Sequence, residues 1–182
     1  MKKVYVVRHC KAEGQEPEAP LTATGVEQAE RLAEFLSDKN VDRIISSPFE
    51  RAVHTITPLA DKLAVRIELD QRLAERILSG TPNSDWLEML RLTYDDLELC
   101  YEGGESSRAA MNRAVRVVVG ALDSDSSNIV LVSHGNLISL LLKYFDDRIG
   151  FQEWKAFSNP DVFLLKFSGN KDKPIVNRIW TE

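Results

Sequence analysis

An α/β fold built on a largely parallel sheet, with helices on both faces, is predicted by three observations. Apolar runs of strand length alternate with amphipathic helical stretches along the whole chain, the signature of successive βα units. The first and fourth runs, Val4-Tyr5-Val6-Val7 and Asn128–Val132, are apolar at consecutive positions, as strands covered on both faces must be. The chain is 182 residues long and shows no internal repeat, low-complexity tract or interdomain linker, so residues 1–182 are expected to form one domain.

Val4–Val7 is the first strand, and residues 8–20, with Gly14, Pro17 and Pro20, read as a loop. A helix is predicted from about Thr22 to Ser37, with Val26, Ala29, Leu32, Ala33 and Leu36 at helical spacing. Thr22 is one candidate N-cap; Thr24, with Glu27 in a capping box, is the other. Val41–Ser46 reads as the second strand. Ser47-Pro48-Phe49-Glu50 then predicts a helix start with Ser47 as cap and Pro48 at the first helical position, running to about Leu63. Val65–Leu69 alternates like a strand exposed on one side. Residues 76–105 are less regular, with a helix predicted from Ser84 to about Leu97 and a break at Gly103-Gly104. Ser106 opens a helix whose stripe is Ala110, Ala114, Val117, Val118 and Ala121. Asn128–Val132 is the fourth strand and Asn136 to Phe145 the next helix; Val162–Phe167 and Ile175–Trp180 read as two closing strands.

Composition narrows the function. Apolar residues make up 43% and charged residues 28%, an ordinary globular balance, and a chain this long can bury about 70% of its unfolded surface without disulfide or metal. The net charge of −5 disfavours nucleic acid as a partner. A small anionic substrate needs only a local cluster of positive groups and is compatible with that charge. Cys10 and Cys100 cannot form a disulfide framework and fit a reducing cytosol. The apolar run after Met1-Lys2-Lys3 ends at Arg8, too soon for a signal peptide, and Leu137–Leu142 is far short of the ~20 residues a membrane span needs. A soluble, cytoplasmic protein is expected. No His, Cys and Asp cluster stands at metal-ligand spacing, and no Gly-x-Gly-x-x-Gly follows the first strand, so neither a metal centre nor a dinucleotide site is expected.

In open α/β sheets ligands sit beyond the carboxyl ends of the strands. Arg8 and His9 follow the first strand directly, His134 follows the fourth, Arg51 lies in the first turn of the helix after the second, and Glu75 lies just after the third. Taken singly, each has an unremarkable reading: a capping or core histidine, a solvated helix arginine, a surface carboxylate. Taken together, they gather Arg, His and Glu on one rim.

In this sequence Val7-Arg8-His9-Cys10 resembles the Arg-His-Gly signature of the histidine phosphatase superfamily, which includes the phosphoglycerate mutases. Leu21-Thr22 with Gly25, Gln28 and Ala29; Ser46-Ser47-Pro48 with Arg51-Ala52 and Thr55; Leu73-Ala74-Glu75; Gly103-Gly104-Glu105-Ser106; and Val132-Ser133-His134-Gly135 are similar to the family's later segments. The resemblance implies a phosphoglycerate-mutase-like three-layer α/β/α sandwich with a small lid-like insertion at about 76–105. It implies His9 as the nucleophile that becomes phosphorylated, Arg8, Arg51 and His134 as phosphoryl-binding groups, and Glu75 as proton donor. It implies no cofactor, no metal, and a small phosphorylated substrate.

Elementary chemistry is consistent with those roles. Phosphoryl transfer is mostly positioning and charge stabilisation, and guanidinium forks match phosphate oxygens. Cations beside His9 keep its imidazole neutral and nucleophilic. Three positions depart from the family pattern: Cys10 where Gly is usual, Ala12 where Ser or Thr is common, and Gln15 where Asn often helps bind phosphate. Gln15 keeps the amide on a longer stem and is carried as a phosphate-binding candidate. Cys10 reads as a small buried thiol; the alternative is an oxidant-sensitive switch in positive potential. His54, one turn from Arg51, could line the rim or the surface, and Glu105 is read as ordering the loop before the next helix.

The function expected is a metal-independent phosphatase working through a phosphohistidine. The alternatives are a cofactor-dependent phosphoglycerate mutase, which Leu73-Ala74-Glu75-Arg76 resembles locally, and a non-catalytic phosphate- or phosphoprotein-binding module. The interval from Glu75 to Gly103 is short and holds Arg76 and Arg91 as its only basic residues, which disfavours the mutase. Retention of His9 and Glu75 disfavours the binding module.

Overall fold

The structure, a computed structural model, describes residues 1–170 and 172–181. Six strands form one sheet in the order β3-β2-β4-β1-β5-β6. β1 (Lys2–Arg8), β2 (Arg43–Ser46), β3 (Ile67–Leu69) and β4 (Asn128–Ser133) run parallel, while β5 (Asp161–Phe167) and β6 (Ile175–Arg178) add antiparallel at one edge. β1 and β4 are neighbours at the centre, which is why both are apolar at consecutive positions. Val4, Val6, Ile129 and Leu131 face one side; Tyr5, Val7, Val130 and Val132 face the other.

Each face is covered by a helical layer. α1 (Ala23–Ser37) and α2 (Glu50–Leu63) bury Ala29, Leu32, Leu36, Ile56 and Leu59 against the Tyr5 side. α4 (Ser107–Leu122) and α5 (Gly135–Phe145) bury Ala110, Ala114, Val118, Leu137 and Leu141 against the Val4 side. The result is the three-layer α/β/α sandwich. α3 (Trp86–Asp95), inside the irregular 76–105 stretch, lays Leu90 and Tyr94 on the same core, and the short α6 (Phe151–Lys155) precedes β5. No helix among the described residues is long and apolar enough to cross a membrane.

The chain leaves β1 into α1 on one face and leaves β4 into α5 on the other. Loops at adjacent strand ends therefore diverge, opening a crevice at the carboxyl ends of β1 and β4.

Several local expectations need correction. Thr22, not Thr24, caps α1, accepting from Gly25 N at 2.9 Å. Val26 stands outside the buried stripe and is exposed. The Ser47-Pro48 start is two residues early: α2 begins at Glu50, not Pro48, and its cap residue Phe49 makes no side-chain cap bond. Ser47 Oγ instead accepts from Phe49 N at 3.3 Å and meets His134, so its hydroxyl serves the strand end rather than the helix. Ser106 does cap α4, accepting from Ala109 N at 3.1 Å. β2 and β3 are shorter than expected, and α6 was not anticipated.

Candidate active site

His9 is the first residue past β1, and its N–H still bonds Ser133 O at 3.1 Å, so the sheet itself fixes its backbone. Asn159, in the loop before β5, donates from Nδ2 to His9 O at 2.9 Å. Thr55 Oγ1 accepts from Cys10 N at 2.8 Å and donates to Arg51 O at 2.7 Å, tying the β1 end to α2.

The His9 ring is 6% exposed and held at both nitrogens. Nδ1 lies 2.7 Å from Cys10 O, a carbonyl that can only accept, so Nδ1 carries the proton. Arg51 Nε donates to Nε2 at 3.2 Å, so Nε2 presents its lone pair. Burial, with Arg51 and Arg8 adding in the same direction, lowers the imidazole pKa to about 4 against the partial opposition of the Cys10 carbonyl. The ring is neutral near pH 7.

Arg51 is 1% exposed and anchored by Nη1 to Glu16 O at 2.8 Å, with its guanidinium 5.1 Å from the Phe49 ring. Arg8 reaches over the loop before β5, donating from Nη1 to Phe157 O at 3.1 Å. Burial lowers the pKa of both guanidiniums, with Glu75 pulling the other way. His134 is 1% exposed; its ring lies 5.1 Å from that of His9, and Nε2 shares a 2.8 Å hydrogen bond with Ser47 Oγ. Burial first, then its coupling to the neighbouring His9 ring and the charge of the nearby arginines, holds His134 well below its ordinary pKa.

Gly135 explains why His134 is followed by glycine. A Cβ there would stand 2.9 Å from Cζ and Nε of Arg8. Gly25 plays a similar part on the other side: its Cβ would lie 2.1 Å from Lys11 O, where α1 meets the loop after β1.

Glu75 sits at the amino end of α5. Its carboxylate accepts from the backbone N–H groups of Asn136 at 3.1 Å, Leu137 at 2.9 Å and Arg76 at 2.8 Å. Because His134 offers α5 no side-chain cap, Glu75 satisfies the helix's free donors from outside. Arg113 fixes the segment carrying Glu75, donating to Arg72 O at 2.6 Å and Ala74 O at 2.8 Å while its other edge pairs with Glu105 at 2.6 Å. Glu105 therefore orders the loop before α4 through Arg113.

Arg8, Gln15 and Glu75 share a cavity of about 470 Å³ with Arg76 and Asn136. Gln15 is exposed at its edge. His54 lies elsewhere, in a groove between α1 and α2 with Val26 and Pro58. Cys10 is fully buried among Ala29, Leu32 and Ile56. Asn159, Arg113 and Asn136 escaped sequence reasoning, since each acts through contacts between distant segments.

Among the described residues, four buried side-chain polar atoms have no hydrogen-bond partner. Three of them, Arg8 Nε, Arg76 Nη2 and His134 Nδ1, belong to this site. Two buried guanidiniums with unused donors, beside a histidine ring nitrogen, suit an anion. No group of three or more His, Cys, Asp or Glu side chains gathers where a metal ion could be held, among the same residues.

Residues 4–180 match the family model of the histidine phosphatase superfamily, branch 1. A glucosyl-3-phosphoglycerate phosphatase of Mycolicibacterium vanbaalenii is 33% identical over 137 residues, 66% of this chain and 60% of that one. An adenosylcobalamin/alpha-ribazole phosphatase of Salmonella typhimurium is 30% identical over 164 residues, 77% of each chain. Relatives bearing the phosphoglycerate mutase name reach 29% over 160 residues. The fold is shared with a mycobacterial glucosyl-3-phosphoglycerate phosphatase solved with inorganic phosphate, at a TM-score of 0.78 and 23% identity over 99% of this chain and 96% of that one.

Proposed function

The chain belongs to branch 1 of the histidine phosphatase superfamily, and we propose that it hydrolyses small phosphate monoesters through a phosphohistidine on His9, without a metal ion. The observation that carries this reading is the hydrogen bonding of His9. A proton fixed on Nδ1 by Cys10 O leaves the Nε2 lone pair facing the arginine cluster, the state an attacking imidazole requires.

In the first step His9 Nε2 attacks phosphorus and the ester P–O bond breaks. Arg51, now bonded to Nε2, turns its donors to the equatorial oxygens, joined by Arg8 and by an N–H of the neutral His134, and the positive potential of the two arginines stabilises the spreading charge. Glu75 gives its proton to the departing alkoxide oxygen. In the second step Glu75 takes a proton from water, the water oxygen attacks phosphorus, and the P–N bond to His9 breaks. Gln15, at the edge of the cavity, is assigned to the rim of the phosphate site. Residues 76–105 act as a lid-like insertion that sets specificity. The reading includes a reducing, cytoplasmic setting, supported by a chain with only two cysteines.

Hydrolysis is favoured over mutase chemistry by the cations of the insertion. Arg91 is occupied by Glu88 at 2.6 Å and Asp95 at 3.1 Å on the surface, leaving Arg76 to face the cavity. A panel of phosphate esters assayed in EDTA, with and without bisphosphoglycerate, tests the proposal. Phosphate release independent of both additives is expected. Isomerisation that needs bisphosphoglycerate, or activity lost to EDTA and restored by magnesium, would refute it.

A further inference from the structure

The backbone that carries Glu75 has no regular structure of its own. A short 3-10 turn, Gln71–Leu73, ends before it, and Ala74 is already extended. Yet the carbonyls of Arg72, Leu73 and Ala74, which lead up to Glu75, are all taken by side chains. Arg113 Nη1 donates to Arg72 O at 2.6 Å and to Ala74 O at 2.8 Å, and Ser133 Oγ donates to Leu73 O, between them, at 2.7 Å. Ala74 O belongs to the peptide unit that joins Ala74 to Glu75, so Arg113 grips the chain immediately before the Glu75 Cα.

Arg113 is aimed in turn. Its other edge, Nε and Nη2, forks onto both carboxylate oxygens of Glu105 at 3.1 and 2.6 Å, from the loop that enters α4. A planar guanidinium held along two edges cannot swing without losing bonds on both, which a lysine ammonium does not reproduce. Among the described residues, the hydrogen bonds of Arg113 go to Arg72, Ala74 and Glu105, and none goes to His9, Arg8, Arg51 or His134. Ser133 shares the grip, but it directly precedes His134 and so bears on the phosphoryl side as well.

We propose that Arg113, aimed by Glu105, is the positioning residue of the proton donor: it sets where Glu75 delivers its proton and leaves the attack of His9 unaffected. This rests on the phosphatase reading of the site, with Glu75 as its acid. A general acid must stand within hydrogen-bond reach of the oxygen it protonates, so the chain that carries it has to be held as firmly as the nucleophile.

The test reads leaving-group dependence in kcat/KM, which reports the steps up to ester cleavage and not the later attack of water. A displacement of ~1 Å costs about 10²-fold in a step that needs the displaced group. Arg113→Met should therefore slow the alkyl phosphate that the wild type hydrolyses fastest by ~10–100-fold, and p-nitrophenyl phosphate, whose leaving group needs no proton, by less than about threefold. Arg113→Lys should fall between Met and wild type, and Glu105→Gln should shift the same ratio in the same direction by less. In a Glu75→Gln background, Arg113→Met should add less than about twofold, because both substitutions act through one proton.

An Arg113 that only stabilised the fold would slow both esters alike, and its loss would multiply with that of Glu75→Gln; either result overturns the proposal and leaves Glu75 as the acid. Full rescue by lysine would overturn it too, since the effect would then be one of charge, which also reaches His134. Should Arg113→Met fail to fold in a thermal melt, Arg113→Lys and Glu105→Gln carry the same comparison. A Glu75→Gln protein slowed equally on both esters would instead remove Glu75 as the acid, and this inference with it. If the wild type hydrolyses neither ester, the phosphatase reading itself fails.

Discussion

Replacing Gly135 by alanine separates stability from function at this site. The added methyl would stand 2.9 Å from Cζ and Nε of Arg8 and 3.1 Å from its Nη2, where ordinary contacts begin at 3.4 Å. The guanidinium must therefore retreat by about 0.5 Å, the gap between those distances. It is the far end of a flexible side chain, so the backbone need not move. Gly135 also opens α5, where exchanging glycine for alanine stabilises a helix by roughly 0.5–1 kcal/mol. Melting temperature should hold or rise slightly. Catalysis should not: a misplacement of 1 Å costs about 10²-fold, so half that distance corresponds to about 10-fold, or ~1.4 kcal/mol of transition-state stabilisation. The assay is kcat/KM for p-nitrophenyl phosphate beside a thermal melt. Unchanged kcat/KM in a folded Gly135→Ala protein would refute the placement of Arg8 on the phosphoryl group. A melt lowered by several degrees would refute the claim that the clash is absorbed by the side chain.

Four further outcomes follow from the geometry. His9 titrates at about 4, pushed down chiefly by burial, so the acid limb of kcat/KM should lie near pH 4; a limb near 6.5 would place the nucleophile in an unburied state. Because that pKa lies below the 6.5 of an unfolded histidine, the His9 contribution to stability is full above pH 6.5 and is lost as pH falls from 6.5 towards 4, at up to ~1.4 kcal/mol per pH unit; urea melts at pH 7 and pH 5 should show the loss, and His9→Ala should reduce it. Glu75→Gln should slow alkyl phosphates by ~10²–10⁴-fold and p-nitrophenyl phosphate far less, since p-nitrophenolate leaves without a proton; equal losses on both would reduce Glu75 to its capping of α5. Cys10 is fully buried in the α1–α2 core and Cys100 is exposed, so a maleimide should label Cys100 in the native protein and Cys10 only after unfolding; labelling of both at similar rates would revive the oxidation switch.

The grouping of the candidate residues on one rim was legible because they sit beside the clearest strands. β1 and β4 announce themselves by being apolar on both faces; Arg8 is the last residue of β1, and His9 and His134 are the first residues past β1 and β4. Ser47 misled because a Ser-Pro pair satisfies the local rule for a helix start, whereas in the fold its hydroxyl meets His134, 87 positions away. Val26 fits the helical stripe of α1, but the buried face of α1 is set by α2 and the sheet, which a single helix cannot reveal. α6 spans five residues, too few for a periodicity to appear. The roles of Arg76, Arg113 and Asn159 depend on carbonyls and side chains brought in from remote segments, and no local pattern encodes them.

The claim on which the rest depends is that His9 carries the phosphoryl group. Wild-type protein mixed with a radiolabelled phosphate ester, quenched in alkaline denaturant within the first turnovers and digested, should yield the label on the peptide containing His9. The linkage should survive base and be lost in mild acid, as a phosphoramidate is, and the label should vanish in His9→Ala while His134→Ala retains some of it. Label recovered on His9→Ala, or an acid-stable phosphate on any other residue of the wild-type chain, would contradict the account.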